Sequence, residues 1–142
     1  MDIDTFMQTY RRAWETSDED LLCTLFEPAG RYHNTPFQTQ EGHDAIRRYW
    51  QRTKLQADIA VRFEILQRHT GGGIAHWHTT YQVTSEEMFA MWAASTGTGI
   101  PPRRPGDPLP RLALDGIAVV EFGDGGLCRD FRIWWHSVVA GR

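Results

Sequence analysis

The sequence predicts an α+β fold in which a curved antiparallel or mixed sheet wraps over three N-terminal helices. Apolar residues recur at helical spacing through the first third of the chain, and from Asp58 the period changes to two. The later strands follow one another through glycine turns, Gly71 to Gly73 and Gly123 to Gly126, as a meander does.

Residues 2 to 16 read as an amphipathic helix capped by Asp2 or Asp4. Ile3, Phe6, Met7, Tyr10, Ala13 and Trp14 form its apolar stripe. Ser17, with Asp20 three positions on, opens a second helix that buries Leu21, Leu22, Leu25 and Phe26 and stops at Pro28 and Gly30. A short strand, Arg31 to Asn34, leads to a turn at Pro36. A third helix runs from about Gly42 to Leu55 and carries Ala45, Ile46, Tyr49 and Trp50 on one stripe.

In the next strand, Ile59, Val61, Phe63 and Ile65 alternate with Ala60, Arg62, Glu64 and Leu66. In its partner, Ile74 to Val83, Trp77, Thr79, Tyr81 and Val83 share one face, and His76, His78 and Thr80 the other. If the three glycines are the loop, Val61 faces Val83 and Phe63 faces Tyr81, so the apolar faces coincide. Residues 84 to 111 interrupt the sheet with a helix, Ser85 to Ala94, and a loop holding five of the seven prolines. A loop of that length in a compact domain is mobile or functional. The helix offers Met88, Phe89, Met91 and Trp92 as a lid over a pocket or as a contact with a second subunit. Strands at Leu112 to Phe122 and Leu127 to His136 complete the sheet. No repeat or linker divides the chain, so residues 1 to 142 are expected to form a single domain.

A net charge of -3 with scattered arginines lacks the basic footprint of a nucleic-acid binder. No apolar run approaches a membrane span, and the acidic start MDIDTF differs from a signal peptide. The expectation is a soluble cytoplasmic protein with no membrane partner. Cys23 and Cys128 need no disulfide in a domain of this size.

The helix pair YRRAWETSDEDLLCTLF, the segment RYHNTPF followed by EGHDAIRRYW, the strand around Trp77, and LDGIAVVEFGDGGLCRDFRIWWH together resemble the SnoaL-like branch of the nuclear transport factor 2-like superfamily. The resemblance covers nearly the whole chain outside 84 to 111. It implies a cone of helices and bent sheet, a cystatin-like α+β barrel enclosing an apolar pocket, commonly in a homodimer. The fold hosts isomerases, dehydratases, cyclases, epoxide hydrolases and non-enzymatic binding proteins, so it does not by itself name a reaction. Aligned by spacing with the ketosteroid isomerases of that superfamily, their first-helix tyrosine falls on Tyr10. Their base aspartate falls on Asn34, which cannot abstract a proton, and their second carboxyl falls near Ala118. Aligned with the limonene epoxide hydrolases, their Arg and Asp fall near Trp77 and Thr79, and their last-strand Asp near Ile133.

The candidate catalytic residues are therefore Tyr10, Asn34 and Asp130. Strand parity turns Asp130 away from the pocket unless a bulge near Cys128 reverses it. The candidate substrate-binding residues are Trp14, Tyr32, Phe63, Trp77, Thr79, Tyr81, Phe131 and Trp135, an aromatic chamber suited to a small hydrophobic or cyclic ligand. Core packing is the competing explanation for each ring. His76 and His78 project to one side, as two metal ligands would, but no third ligand is fixed by spacing. The expected site carries no metal and uses no cofactor. Two functions remain open: a cofactor-free lyase, isomerase or cyclase, and a non-catalytic ligand-binding or dimeric interaction domain.

Overall fold

The computed structural model describes residues 1 to 96 and 100 to 140; the part of the proline-rich loop at 97 to 99 lies outside the described residues. The elements run α1 (Ile3–Glu15), α2 (Glu19–Cys23), β1 (Phe26–Thr35), β2 (Gln38–Glu41), α3 (His43–Trp50), a 3-10 turn (Gln51–Leu55), β3 (Gln56–His69), β4 (Gly72–Val83), α4 (Glu86–Thr96), β5 (Arg111–Phe122) and β6 (Cys128–Val139). The six strands form one sheet in the order β2-β1-β6-β5-β4-β3. All pairs are antiparallel except β1 with β6. The expected α+β architecture is present, but β2 and β3 are free edges, so the sheet is open and no barrel closes.

Helix α1 starts where Asp2 accepts a hydrogen bond from the Thr5 amide at 2.8 Å. Its whole apolar stripe, from Ile3 to Trp14, is buried. Those side chains meet the concave face of the sheet in one core with Phe26, Tyr32, Trp77, Val120 and Phe131.

Helix α2 is shorter than expected. Its cap is Asp18, which accepts from the Leu21 amide at 2.9 Å. Phe26, Pro28 and Gly30 belong to β1 rather than to a helix end. They fit a strand because the pairing with β6 slips between Phe26 and Arg31. Strand β2 was not anticipated, since Gln38 to Glu41 is polar throughout and carries no alternation.

The β3–β4 register differs from the expected one by four residues. Val61 faces Thr79, Phe63 faces Trp77 and Ile65 faces Ala75. The turn is Thr70-Gly71, and Gly72 and Gly73 belong to the strand. They are glycines for close approach. A Cβ on Gly72 would lie 1.9 Å from the Val120 carbonyl oxygen, and one on Gly73 2.9 Å from Ile3. An even slip preserves parity, so each expected inward residue on these strands still faces in.

The insert docks on the open end of the sheet. Trp92 Nε1 of α4 donates to Ser137 Oγ of β6 at 2.6 Å. Arg103 pairs with Glu86 and lies over the Phe89 ring, tying the loop back to the helix.

Candidate functional site

A cavity of about 60 Å³ lies between α1, the α3 end, α4 and the concave face of the sheet. Its buried base is Tyr10, Tyr32, Trp50, Trp77, Tyr81, Trp92, Leu114 and Ile133. Its mouth is formed by partly exposed Tyr49, Arg52, Gln56, Met91 and Trp135. Helix α4 supplies one wall through Met88, Met91, Trp92 and Ser95. Among the described residues, the lining contains no Asp, Glu, His, Lys or Cys.

The polar tips form a defined network. The hydroxyls of Tyr10 and Tyr32 are 2.8 Å apart, and Trp50 Nε1 donates to the Tyr32 oxygen at 3.3 Å. Two phenols bring two protons, and one bond between them uses one. The other O–H has no acceptor among the described residues. Burial raises the pKa of both phenols above the ordinary tyrosine value, so both stay protonated at neutral pH. Trp14 Nε1 donates to Gln56 Oε1 at 2.8 Å. Trp77 Nε1 is buried and has no acceptor among the described residues. The chamber therefore holds a spare O–H donor on the Tyr10–Tyr32 pair, beside hydroxyl and amide oxygens of Thr53, Gln56 and Ser95 that can still accept.

Of the expected binding residues, Trp14, Tyr32, Trp77, Tyr81 and Trp135 line this cavity together with Tyr10. Phe131 does not; it is fully buried behind the tyrosines, with ring centroids 5.3 Å from Tyr10 and 5.0 Å from Tyr32. Thr79 is fully buried in the core outside the lining, its hydroxyl without a partner. Phe63 sits on the edge strand β3 and lines a separate groove with Arg62, Glu64, His76, His78 and Asp115.

Asn34 is outside the cavity. Its amide is committed to β2, donating to Gln38 Oε1 at 2.9 Å and accepting from Gln40 Nε2 at 3.1 Å. Asp130 is also outside. A bulge does occur, at Arg129, but Asp130 pairs with Glu121 beyond it and keeps the phase of Arg132. Its carboxylate faces outward, with Oδ1 2.7 Å from His33 Nε2 and Oδ2 3.8 Å from Arg31. His33 Nδ1 is in turn 2.8 Å from Thr39 Oγ1.

His76 and His78 do project together on the outer face. Both are held by Asp115, His76 Nε2 at 2.7 Å from one oxygen and His78 Nδ1 at 3.0 Å from the other. Asp115 raises the His76 pKa above the usual imidazole value. Among the described residues, no group of three or more His, Cys, Asp or Glu side chains is arranged to hold a metal ion. No helix among them is long and apolar enough to cross a membrane.

Sequence reasoning missed Arg52, Thr53 and Gln56, which look like surface residues at the end of a polar helix. It named the α4 wall without deciding between lid and subunit contact. The structure puts that wall on the cavity.

Residues 7–130 match the SnoaL-like domain family. No curated protein sequence matches the chain. Among solved structures, the epoxide hydrolase/cyclase-like enzyme SalBIII, described in pyran ring formation in the polyether salinomycin, superposes with a TM-score of 0.65. It is 13% identical, over 96% of this chain and 94% of that one. A ketosteroid isomerase-like protein from Erwinia carotovora atroseptica SCRI1043 superposes with a TM-score of 0.61 at 12% identity, over 99% and 95% of the two chains. At these identities the likeness is one of fold.

Proposed function

The chain belongs to the SnoaL-like domain family, and from that premise we propose that its aromatic chamber binds a small, cyclic, largely apolar compound through an oxygen of that compound. The observation that carries this reading is the donor surplus. One O–H of the Tyr10–Tyr32 pair and the Trp77 N–H lack acceptors among the described residues. A buried donor without an acceptor costs about 1–3 kcal/mol, which a ligand oxygen offsets. Such donors in a water-poor site also stabilise negative charge developing on a carbonyl or ether oxygen. Ring closure or isomerisation assisted in this way fits the chamber. Proton abstraction by a lining carboxylate or imidazole does not, because the lining has neither. That absence supports ligand binding with polarisation over acid–base chemistry by a carboxylate such as Asp130.

The cavity is smaller than the ~150 Å³ space that admits benzene into an engineered apolar core. Entry of a ring therefore requires the wall to yield, and Met88 and Met91 are the adaptable side chains that can repack. In this reading α4 is the lid.

The test uses acetophenone as a neutral ketone probe, with quenching of the chamber tryptophans as the readout. Tyr10→Phe and Tyr32→Phe each leave one hydroxyl free to donate, so each single variant is expected to bind within about twofold of the parent. The double variant removes both hydroxyls and is expected to bind up to about tenfold more weakly. Equal binding by the parent and the double variant counts against the reading.

The expected homodimer is also a proposal. We place the second copy on the outer face of the sheet, where Ile117, Trp134 and Val138 stand exposed. Arg62 and Arg132 there lie among Glu64 and Asp115, so a two-fold axis pairs opposite charges across the contact. Sedimentation at micromolar concentration should give a dimer that Trp134→Glu converts to a monomer. A monomeric parent protein sinks this placement.

A further inference from the structure

The mouth of the chamber holds a single formal charge, and it is positive. Arg52, in the 3-10 turn after α3, is the only ionised residue in the lining among the described residues. Its Nε donates to the Tyr49 carbonyl at 3.0 Å, and its guanidinium lies 4.0 Å over the Tyr49 ring. These two contacts fix the plane of the group. Among the described residues no carboxylate approaches it within ion-pair distance, although other arginines such as Arg47, Arg68 and Arg103 have such partners. Neither terminal nitrogen makes a hydrogen bond within the described structure. A planar guanidinium held on one edge, with its terminal N–H groups free, is the form that receives a carboxylate on two parallel bonds.

Trp77 adds an independent observation. Its Nε1 is buried without an acceptor among the described residues, and its indole borders both this cavity and the groove of Phe63. The donors therefore run from base to mouth, and the only charge sits at the mouth. We propose that the ligand of this chamber is an organic anion, a small cyclic carboxylate whose ring enters the aromatic base while its carboxylate is held by Arg52. This deepens, and rests on, the reading of the chamber as a ligand site.

Arg52 acts here as a binding residue, meeting the carboxylate directly. The chemistry predicts discrimination by charge rather than shape. Benzoate and acetophenone differ mainly in an anionic oxygen against a methyl group, so they form the matched probe pair.

Both probes are titrated at neutral pH and low salt into the full chain, Arg52→Gln and Arg52→Lys. The expected result is that the parent binds benzoate at least about tenfold more tightly than acetophenone. Arg52→Gln should lose that preference while acetophenone binding stays within about twofold, and Arg52→Lys should keep part of it. Three outcomes overturn the proposal: equal binding of the two probes by the parent, equal weakening of both by Arg52→Gln, and binding of acetophenone alone. The last leaves the ligand-site reading intact. Binding of neither probe overturns both.

Discussion

Replacing Phe131 by alanine is expected to destabilise the fold by about 3–5 kcal/mol. Phe131 has no exposed surface and sits at the centre of an aromatic cluster. Its ring centroid is 5.2 Å from Phe6, 5.3 Å from Tyr10, 5.9 Å from Phe26 and 5.0 Å from Tyr32. Truncation removes those contacts and leaves a hole that α1 and β1 cannot both close, since each is fixed to the sheet by other side chains. The loss also reaches the site. Phe131 is the packing behind both tyrosines, so their 2.8 Å hydroxyl contact depends on it. Urea denaturation measures the effect. A loss below about 1 kcal/mol would show that the cluster relaxes around the hole and that the tyrosines are not held by it.

Gly116→Ala should cost about 3 kcal/mol and disturb the chamber from the opposite side. Gly116 stands in the cross-strand row Phe63, Trp77, Gly116, Trp135. A Cβ there would lie 2.1 Å from the Trp134 carbonyl oxygen and 2.9 Å from Trp135 Cα. Both are backbone atoms of a paired strand, so a rotamer change cannot relieve the clash. β6 must move away from β5 where Trp135 meets the cavity mouth. Thermal unfolding should show the lost stability, and near-ultraviolet circular dichroism the displaced tryptophan. An alanine variant of parental stability would mean that the two strands separate there without strain.

Much of this fold was legible because periodicity survives local error. The α1 stripe came out where the apolar spacing put it, and the third helix did so as far as Trp50, a 3-10 turn taking the place of its last five expected residues. The β3–β4 register was wrong by four residues, yet Trp77 and Tyr81 still faced inward because the slip was even. The error came from assigning three glycines to a loop. Two of them serve instead to bring β4 against Val120 and Ile3, a requirement set by distant residues. Pro28 and Gly30 misled for a related reason: they read as a helix stop and occupy an irregular stretch of strand.

The site was legible in its base and not at its mouth. Large aromatics on inward parity announced the chamber, and Tyr10, Trp14, Tyr32, Trp77, Tyr81 and Trp135 reach it. Phe131 and Thr79 share that parity but lie too deep, and depth is not encoded in alternation. Asn34 was singled out by alignment to relatives; the side chains of Gln38 and Gln40 hold its amide elsewhere. Arg52 carried no signal, because a charged residue at a helix end is ordinarily solvated. Only the packing of α4 across the opening makes that position part of a cavity.

The central claim is that buried donors in the chamber act on a ligand oxygen. The carbon-13 shift of carbonyl-labelled acetophenone, bound to the parent protein and to the Tyr10→Phe/Tyr32→Phe double variant, tests it directly. Donation to the bound ketone should give a downfield carbonyl shift on the parent relative to the same ketone in cyclohexane, largely lost on the double variant. A bound ketone whose carbonyl resonates at its cyclohexane position on the parent protein would contradict it.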